Sequence, residues 1–445
     1  MRTAGFMEGS EAYRNRNRKE TMEKHLKNGD RVSVAVVGAG PVGLTTALIL
    51  TRAGIDVLLL EADPNLVEDL RTTIIHPSSL EVWSLLGATR GFAEYGTKCM
   101  RMQFRERRGG VVANLDYACL EDDTYFPYIL LCALPFVVPD LHKELASTGR
   151  ALVAFGHRVA GVRLSEERVT LTVKRPEGEI EIHADYVVAA DGTRSTVRDA
   201  FAIARQRIAP GNRLYRITLE DPVDQYLSEL ESFSYVMDPI CYGLVLRNPG
   251  FWRVPIGVVR DDSDEGGDVA LAGDGTDLIR RFMFPDRSLN ISAARPITVT
   301  NWIASDFGVG RILFAGDSAH ALNPFSGMGM NSGVLDAVHA AIAVAEAVRS
   351  GRRGPHWRRY VQDRPRVARD IAVRSLTRYN LLTEADEARC SKRNSWLREL
   401  ETDEARRRAC LWEFSLLDRL HELSGDLARL VESARIPGSE MAGVR

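Results

Sequence analysis

Ser33-Val34-Ala35-Val36-Val37-Gly38-Ala39-Gly40-Pro41-Val42-Gly43 opens the stretch that decides the fold, and Asp56-Val57-Leu58-Leu59-Leu60-Glu61 closes it. The apolar run 33–37 ends in glycines, as expected of a strand buried on both faces in a parallel sheet. Residues 42–53 then carry apolar side chains at helical spacing and stop at Gly54, a natural helix terminator. Asp56–Leu60 is a second buried strand, so the stretch reads as one βαβ unit. Between strand and helix, Gly38, Gly40 and Gly43 occupy the G-x-G-x-x-G positions. The first permits a tight turn, the second lets backbone approach a pyrophosphate, and the third lets helix and strand pack closely. Pro41 and Val42 open the helix, whose N-terminus favours phosphate. Glu61 lies 18 residues beyond Gly43, where a carboxylate can accept from adenosine ribose hydroxyls. The unit is a dinucleotide-binding fingerprint, used by both NAD and FAD proteins.

Working outward, 445 residues correspond to two or three domain-sized units, or one large composite domain. The chain is 45% hydrophobic and 27% charged, an ordinary globular balance, and 58 basic against 60 acidic residues leave a formal charge of −2. That near-neutrality argues against nucleic acid or an anionic membrane surface as partner. The cysteines at 99, 119, 132, 241, 390 and 410 include no C-x-x-C and are too scattered for a disulfide framework. They read as reduced thiols of a cytoplasmic protein. No start-proximal apolar block suggests a secretory signal, and the apolar run 32–50 is broken by glycines and Pro41, unlike a membrane span. The nine histidines show no metal-ligand spacing, so no metal site is expected.

Residues 1–31 are mixed in charge and read as a flexible, solvated arm, helical only near Thr21–Leu26. Strands are expected at 153–162, 169–173, 179–183 and 186–190, and a helix at 78–86. Several β-like runs between 213 and 260 suggest a largely antiparallel sheet of their own. The acidic, glycine-rich segment 261–277 reads as an exposed loop. Arg311–Ala315 is a further buried strand, followed by a glycine-rich turn and a long helix over 331–349. The tail is helical from 355, and Leu416, Leu420, Leu423, Leu427 and Leu430 make a helix seam, suited to packing on the back of the main domain or to a dimer interface.

Two later segments repeat the pattern of an acid at a strand end: Asp185-Tyr186-Val187-Val188-Ala189-Ala190-Asp191-Gly192-Thr193-Arg194-Ser195-Thr196-Val197-Arg198 and Gly310-Arg311-Ile312-Leu313-Phe314-Ala315-Gly316-Asp317-Ser318-Ala319-His320. With the fingerprint they resemble, in order, the three signatures of the flavin-dependent aromatic hydroxylases related to p-hydroxybenzoate hydroxylase, over roughly residues 32–370. The resemblance implies an α/β fold: a Rossmann-like FAD-binding domain, an inserted, largely antiparallel substrate β-sheet and a helical C-terminal tail. Its implied division is the arm 1–31; a first cofactor part 32–205 with a β-excursion near 100–135; the substrate sheet 206–300; a second cofactor part 301–355; and C-terminal helices 356–445. The implied activity is an FAD-dependent monooxygenation of an aromatic, phenolic small molecule with O2 through a flavin C4a-hydroperoxide, with NADPH or NADH as co-substrate.

Residue by residue, the resemblance gives Asp317 a hydrogen bond to the ribityl chain and Arg71 a contact with the pyrophosphate, for which a guanidinium fork is suited. Asn323–Asn331 resembles the family's proline- and glycine-rich turn. There Pro324, Gly327, Gly329, Met330 and Asn331 border the flavin, and the following helix N-terminus favours negative charge on it. Asp191 and Val159 complete the implied cofactor contacts. In 127–134, read as part of a helix, Leu134 stands where the family often has a glutamine. His76, Pro324 and Tyr235 are the catalytic candidates, although a histidine before a helix-starting proline reads first as structural. Tyr215, Tyr235, Tyr242 and Arg253 are candidates for the substrate face. No second G-x-G-x-x-G follows a strand, so NAD(P)H is expected to meet the flavin without a dedicated domain. Alternatives are a reductase or oxidase of the same fold acting on a lipid-like substrate, or a non-catalytic flavin-binding regulator. No stable membrane association is expected, and a monomer or a homodimer is compatible with the sequence.

Overall fold

Continuous apolar runs, each ending in glycine or acid, build the central sheet. In it Ile312–Phe314, Gly178–Ala189, Asp30–Val37, Val57–Leu60 and Ala151–Ala154 lie side by side and parallel. The computed structural model describes residues 26–67, 72–239, 241–258, 275–284, 287–421 and 423–432. The Pro41–Arg52 helix packs on the Met328–Ser350 helix and on the sheet. Both helices are lined with alanine, valine and leucine that are almost wholly buried. Met328–Ser350 is long and apolar enough to cross a membrane, but 83% of its apolar window is buried inside the protein, making it a core helix.

A second, eight-stranded sheet runs in the order His320–Ala321, Ile291–Ala304, Arg205–Leu219, Phe251–Val258, Cys241–Asn248, Phe233–Met237, Arg101–Glu106, Gly110–Asp116. Its pairings are antiparallel except that of Phe233–Met237 with Arg101–Glu106. A small antiparallel sheet, Thr72–Ile75, Ile129–Ala133 and Thr97–Cys99, bridges the two. Among the described residues five helices follow residue 354: Pro355–Leu382, Glu387–Thr402, Glu404–Phe414, Leu417–His421 and Ser424–Glu432.

Several local expectations change. Residues 26–31 are not part of an arm: Leu26 is buried, and Asp30 and Arg31 pair with Ile182 and His183 in the central sheet. The rest of the arm, 1–25, lies outside the described residues. The expected strand 153–162 is two strands, divided at Gly156 with φ +69°. Conversely, 179–183 and 186–190 form one strand, Gly178–Ala189, whose first half is exposed on alternate residues and whose last four residues are buried on both faces. No turn residue interrupts 184–186, so the chain crosses from rim to core without breaking. The segment 129–133 is a fully buried strand, not helix; the helix begins at Leu134, where Pro135 suits the first turn. The β-excursion near 100–135 splits, its strands 101–106 and 110–116 joining the second sheet. Of the acidic segment, 261–274 lies outside the described residues, while Gly275, Thr276 and Asp277 begin a helix, Gly275–Phe282.

The leucine seam is not one helix. It spans two short ones, with Leu416 at φ +56°, yet all five leucines are buried in the main core. All six cysteines are free thiols.

Candidate active site

Register brings the site together. Val37 pairs with both Leu60 and Ala189, and Ala189 pairs with Phe314. Four parallel strands therefore end level, and Gly38, Glu61, Asp191 and Gly316-Asp317, one to three residues beyond the strand ends, share one edge of the sheet. The carboxyl edge is where open α/β sheets bind ligands.

Two fingerprint glycines are demanded by backbone approach. A Cβ on Gly38 would lie 2.4 Å from the Ala190 carbonyl oxygen, and one on Gly43 would lie 1.9 Å from that of Gly38. Gly40 differs, because a Cβ there would meet nothing within 4 Å. The Glu61 carboxylate accepts from the Ala39 N–H at 2.6 Å and from the Asp63 N–H at 2.9 Å, tying the loop to the second strand. Val159 is a core residue, 5% exposed. It follows the Gly156-His157 turn, whose N–H groups bond the carbonyls of Asp63 and Glu61. Arg71 lies outside the described residues.

In the second signature the Asp191 carboxylate accepts from the Val197 N–H at 3.2 Å, while its other oxygen is buried with no partner. Burial pushes its pKa up, against the hydrogen bonds of Ser195 and Val197. Arg198 is fully buried, donates to the carbonyls of Thr193 and Ser318, and lies 4.8 Å from the Trp302 ring centroid. It thereby joins the second signature to the third.

In the third signature, Gly316 sits against Val42, as does Gly333: a Cβ at either would come within 2.8 Å of a Val42 methyl. Val42 thus fills the gap between first and third signatures. Asp317 is exposed at this edge between buried neighbours. Beneath it lies a charged cluster that sequence reasoning missed. Asp336, fully buried, accepts from the Gly316 N–H at 3.0 Å, from His320 Nε2 at 2.7 Å and from the Arg364 fork at 2.8 and 2.5 Å. Burial alone would raise its pKa; Arg364 and His320 outweigh burial and bring it down to about 2. The available signal was an acid inside an otherwise apolar helix, which requires a buried partner.

Asn323 caps the glycine-rich turn through the Phe325 N–H, Pro324 is exposed, and Gly327 adopts φ +66°. The Asn331 amide is committed to backbone: it accepts from the His76 N–H and donates to the carbonyls of Ile74 and Gly327. It clamps the Thr72–Ile75 strand onto the turn. His76 is fully buried, and its Nε2 bonds the Ser326 carbonyl at 3.0 Å. Burial lowers its pKa to about 4, so it is neutral at pH 7. Gly329 and Met330 are half-buried, and a Cβ on Gly329 would meet nothing within 4 Å. The helix starting at Met328 has glycine at its N-cap and no acid in its first turn; its first N–H donates to Ser326 Oγ at 3.4 Å, and the following N–H groups are left for an anion.

On the second sheet, strand alternation separates the four substrate-face candidates. Tyr235 and Tyr242 pack with the main core, and Arg253, level with Leu246, shares their face. Tyr215 points to the other face, against a separate core around Ile217, Val254 and Ile256. The Tyr235 hydroxyl donates to the Phe325 carbonyl at 2.7 Å, and Tyr242 packs on the Phe325 ring with centroids 4.9 Å apart.

The edge fits FAD. Gly40, Gly192 and Gly329 all leave open the space that a Cβ would enter, the last beside a helix N-terminus, and Asp191 offers an orphaned acceptor. Among the described residues no cluster of His, Cys, Asp or Glu could hold a metal. Residues 31–375 match the family model described as FAD binding domain, and the chain belongs to that family, the FAD-dependent aromatic hydroxylases of the p-hydroxybenzoate hydroxylase-like group. It is an FAD-dependent monooxygenase using NAD(P)H and O2 on an aromatic small molecule.

Among its relatives, para-nitrophenol 4-monooxygenase of Pseudomonas sp. strain WBC-3 is 30% identical over 388 residues, covering 86% of this chain and 96% of that one. The structure of p-nitrophenol 4-monooxygenase PnpA from Pseudomonas putida DLL-E4 superposes with TM-score 0.78 at 27% identity, covering 87% of this chain and 99% of that one. A 3-(3-hydroxy-phenyl)propionate/3-hydroxycinnamic acid hydroxylase of Mycolicibacterium smegmatis is 29% identical over 324 residues, 72% of this chain but only 55% of its own length.

Proposed function

We propose that this chain hydroxylates a small phenol of the size of 4-nitrophenol, with the three signatures holding FAD along the carboxyl edge of the central sheet. The observation that carries the reading is the shared register, which places Gly38, Glu61, Asp191 and Asp317 on one edge. A small phenol is favoured because the nitrophenol relative is the more similar of the two, 30% identical with 96% of its length covered.

In this reading Gly38, Gly40, Pro41, Val42 and Gly43 hold the pyrophosphate at a helix N-terminus, with Arg71 beside it. Glu61 takes the adenosine ribose, Val159 lies at the same end, and Asp191 and Asp317 take the ribityl side. Pro324, Gly327, Gly329 and Met330 border the ring, and Asn331 holds the turn that carries them. When bound, FAD supplies electron transfer from NAD(P)H and activation of O2. The chain's own task is to orient the aromatic ring and exclude water. Phe104, Phe233, Tyr235, Tyr242 and Phe325, all buried, make a dry wall against the turn. Tyr235 serves it by fixing the Phe325 carbonyl, and burial raises its pKa, keeping the phenol protonated. His76, sealed and neutral, supports the turn rather than exchanging protons. We place the protein in the cytoplasm as a monomer or homodimer, without stable membrane or nucleic-acid association, consistent with its near-zero net charge.

The test is a visible spectrum followed by assays of NAD(P)H oxidation with a panel of phenols. The expected result is a yellow protein whose O2-dependent NAD(P)H consumption rises with the right phenol and yields a hydroxylated product. A colourless protein that FAD cannot reconstitute would overturn the cofactor site. Turnover without O2 incorporation would identify a reductase or oxidase.

A further inference from the structure

Two buried polar atoms with no hydrogen-bond partner, His76 Nδ1 and Arg378 Nη1, share one neighbourhood with the buried hydroxyls of Tyr117 and Ser415, which face each other. His76, Tyr117 and Ser415 are 0% exposed. Orphaned buried polar groups are rare in native proteins, and two together call for a ligand. Their proximity is fixed by Phe414. Its ring meets His76 edge-on with centroids 4.7 Å apart, and the Arg378 guanidinium carbon lies 3.8 Å from its centroid. Ser415 follows Phe414 directly. Its hydroxyl and the Arg378 charge both act on the Tyr117 phenol, opposing the rise that burial imposes, and the Arg378 charge also acts on Tyr235 and His76.

Arg378 is the telling member. Among the described residues no carboxylate pairs with it, and its neighbour is a ring face. Arg378 is half-buried, and its buried Nη1 faces this interior with a donor to offer an anion. It is also close to the cofactor turn. One turn earlier on its helix, Ser375 bonds the Ser326 hydroxyl at 2.7 Å and the Asn323 carbonyl at 3.3 Å, and the next residue, Tyr379, reaches the Tyr242 hydroxyl at 3.1 Å. The segment that closes over the cluster is strained: Leu416, fully buried, has φ +56°, a conformation leucine seldom adopts. Arg378, Phe414 and Ser415 lie beyond the residues matched by the family model, whereas His76 and Tyr117 lie within them.

We propose that Arg378, Tyr117 and Ser415 are the recognition end of the substrate pocket, donating to an anionic oxygen of the aromatic substrate when Phe414 gives way to the substrate ring. The inference rests on the phenol-hydroxylase reading and names the group that reading leaves open. Both a phenolate and a nitro group present such an oxygen, and the Phe414 ring marks where an aromatic can lie between His76 and Arg378.

The test is equilibrium titration of the FAD-loaded protein, without NAD(P)H, following the flavin spectrum. The probes are 4-nitrophenol, 4-cyanophenol (phenolate without nitro) and 4-nitroanisole (nitro without an ionisable hydroxyl). Arg378→Gln is expected to weaken 4-nitrophenol binding by about 10- to 100-fold, the loss of a charge-assisted hydrogen bond, with wild-type FAD content and melting temperature. Tyr117→Phe should weaken it by roughly 3- to 10-fold, and Phe414→Ala should not weaken it. If the phenolate is the bound group, Arg378→Gln weakens 4-cyanophenol and spares 4-nitroanisole; if the nitro group is, the reverse holds. Binding of all three probes by Arg378→Gln within twofold of wild type would overturn the proposal. Should Arg378→Gln fail to fold, Tyr117→Phe decides: unchanged binding in that variant overturns it. A yellow wild-type protein that binds none of the three would instead overturn the small-phenol reading itself, an outcome visible before any variant is made.

Discussion

At the scale of single residues, burial decides the charge states. His76 is neutral because its desolvated ring is held to a pKa of about 4, below the ordinary value of 6.5. The unfolded chain takes up that proton first, so the contribution of His76 is complete above pH 6.5 and lost as the pH falls toward 4, amounting to about 3 kcal/mol. Asp336 adds a second loss. Its carboxylate is depressed to about 2, so its stabilisation is complete above pH 4 and disappears as the pH falls through 2. His76→Gln keeps a donor for the Ser326 carbonyl without titrating. Urea unfolding across pH 4–7 is expected to show a shallower slope for this variant than for wild type, the remainder coming from His142 and His339, also depressed by burial. Asp336→Asn leaves Arg364 buried without its carboxylate and is expected to cost about 3–5 kcal/mol and lower FAD retention, read by denaturant unfolding and bound-flavin absorbance. The glycines give a paired expectation. Gly329→Val enters open space, so the variant should fold and melt as FAD-stripped wild type does, yet purify depleted of FAD. Gly43→Ala collides with the Gly38 carbonyl and should lower the melting temperature itself.

Among the elements, the second sheet shows how register assigns roles. Its strands alternate, so a sequence reading finds Tyr215, Tyr235 and Tyr242 equally plausible. Pairing of Tyr235 with Leu244 and of Leu246 with Arg253 puts one set toward the cofactor turn, while Tyr215 falls on the outer core with Ile217. The C-terminal leucines behave similarly. Their spacing is legible as a seam, but the left-handed break at Leu416 is not, because leucine there opposes its own backbone preference and is held by packing. Leu427, 1% exposed, lies in the core against the Met328–Ser350 helix. Leu427→Ala is expected to cost about 2–5 kcal/mol in urea unfolding, with the flavin spectrum unchanged at low denaturant. A loss below about 1 kcal/mol would show that the terminal helix is dispensable to the main core.

For the molecule as a whole, the strand-linked fingerprint at 38–43 is matched to FAD. In the proposed reading NAD(P)H meets the flavin without a dedicated domain of its own, while oxygen insertion needs a site closed to water. Movement between an accessible and an enclosed arrangement reconciles the two demands, with the turn at 327–329 as one boundary. Anaerobic stopped-flow reduction by NAD(P)H is expected to be slow alone and accelerated by the correct phenol. Identical rates with a phenol already shown to bind would remove the case for gating.

What the sequence determined by itself was everything written in local pattern. The βαβ unit, the acid-ended strands at 185–191 and 311–317, the long core helix and the order of the signatures all follow from apolar runs, glycines and caps between near neighbours in the chain. Tertiary structure alone decided which distant groups meet. Asp336 finds His320 and Arg364, Asn331 reaches Ile74 and His76, and Phe414 comes to rest between His76 and Arg378. The same holds for the Ile129–Ala133 strand, whose apolar run suits helix or strand alike until Thr72–Ile75 and Thr97–Cys99 supply hydrogen-bond partners. The physical reason is common to all of these. A buried charge, an orphaned amide or a strand edge states a need for a partner, and which residue meets that need depends on chain closure across tens to hundreds of positions, which no local pattern records.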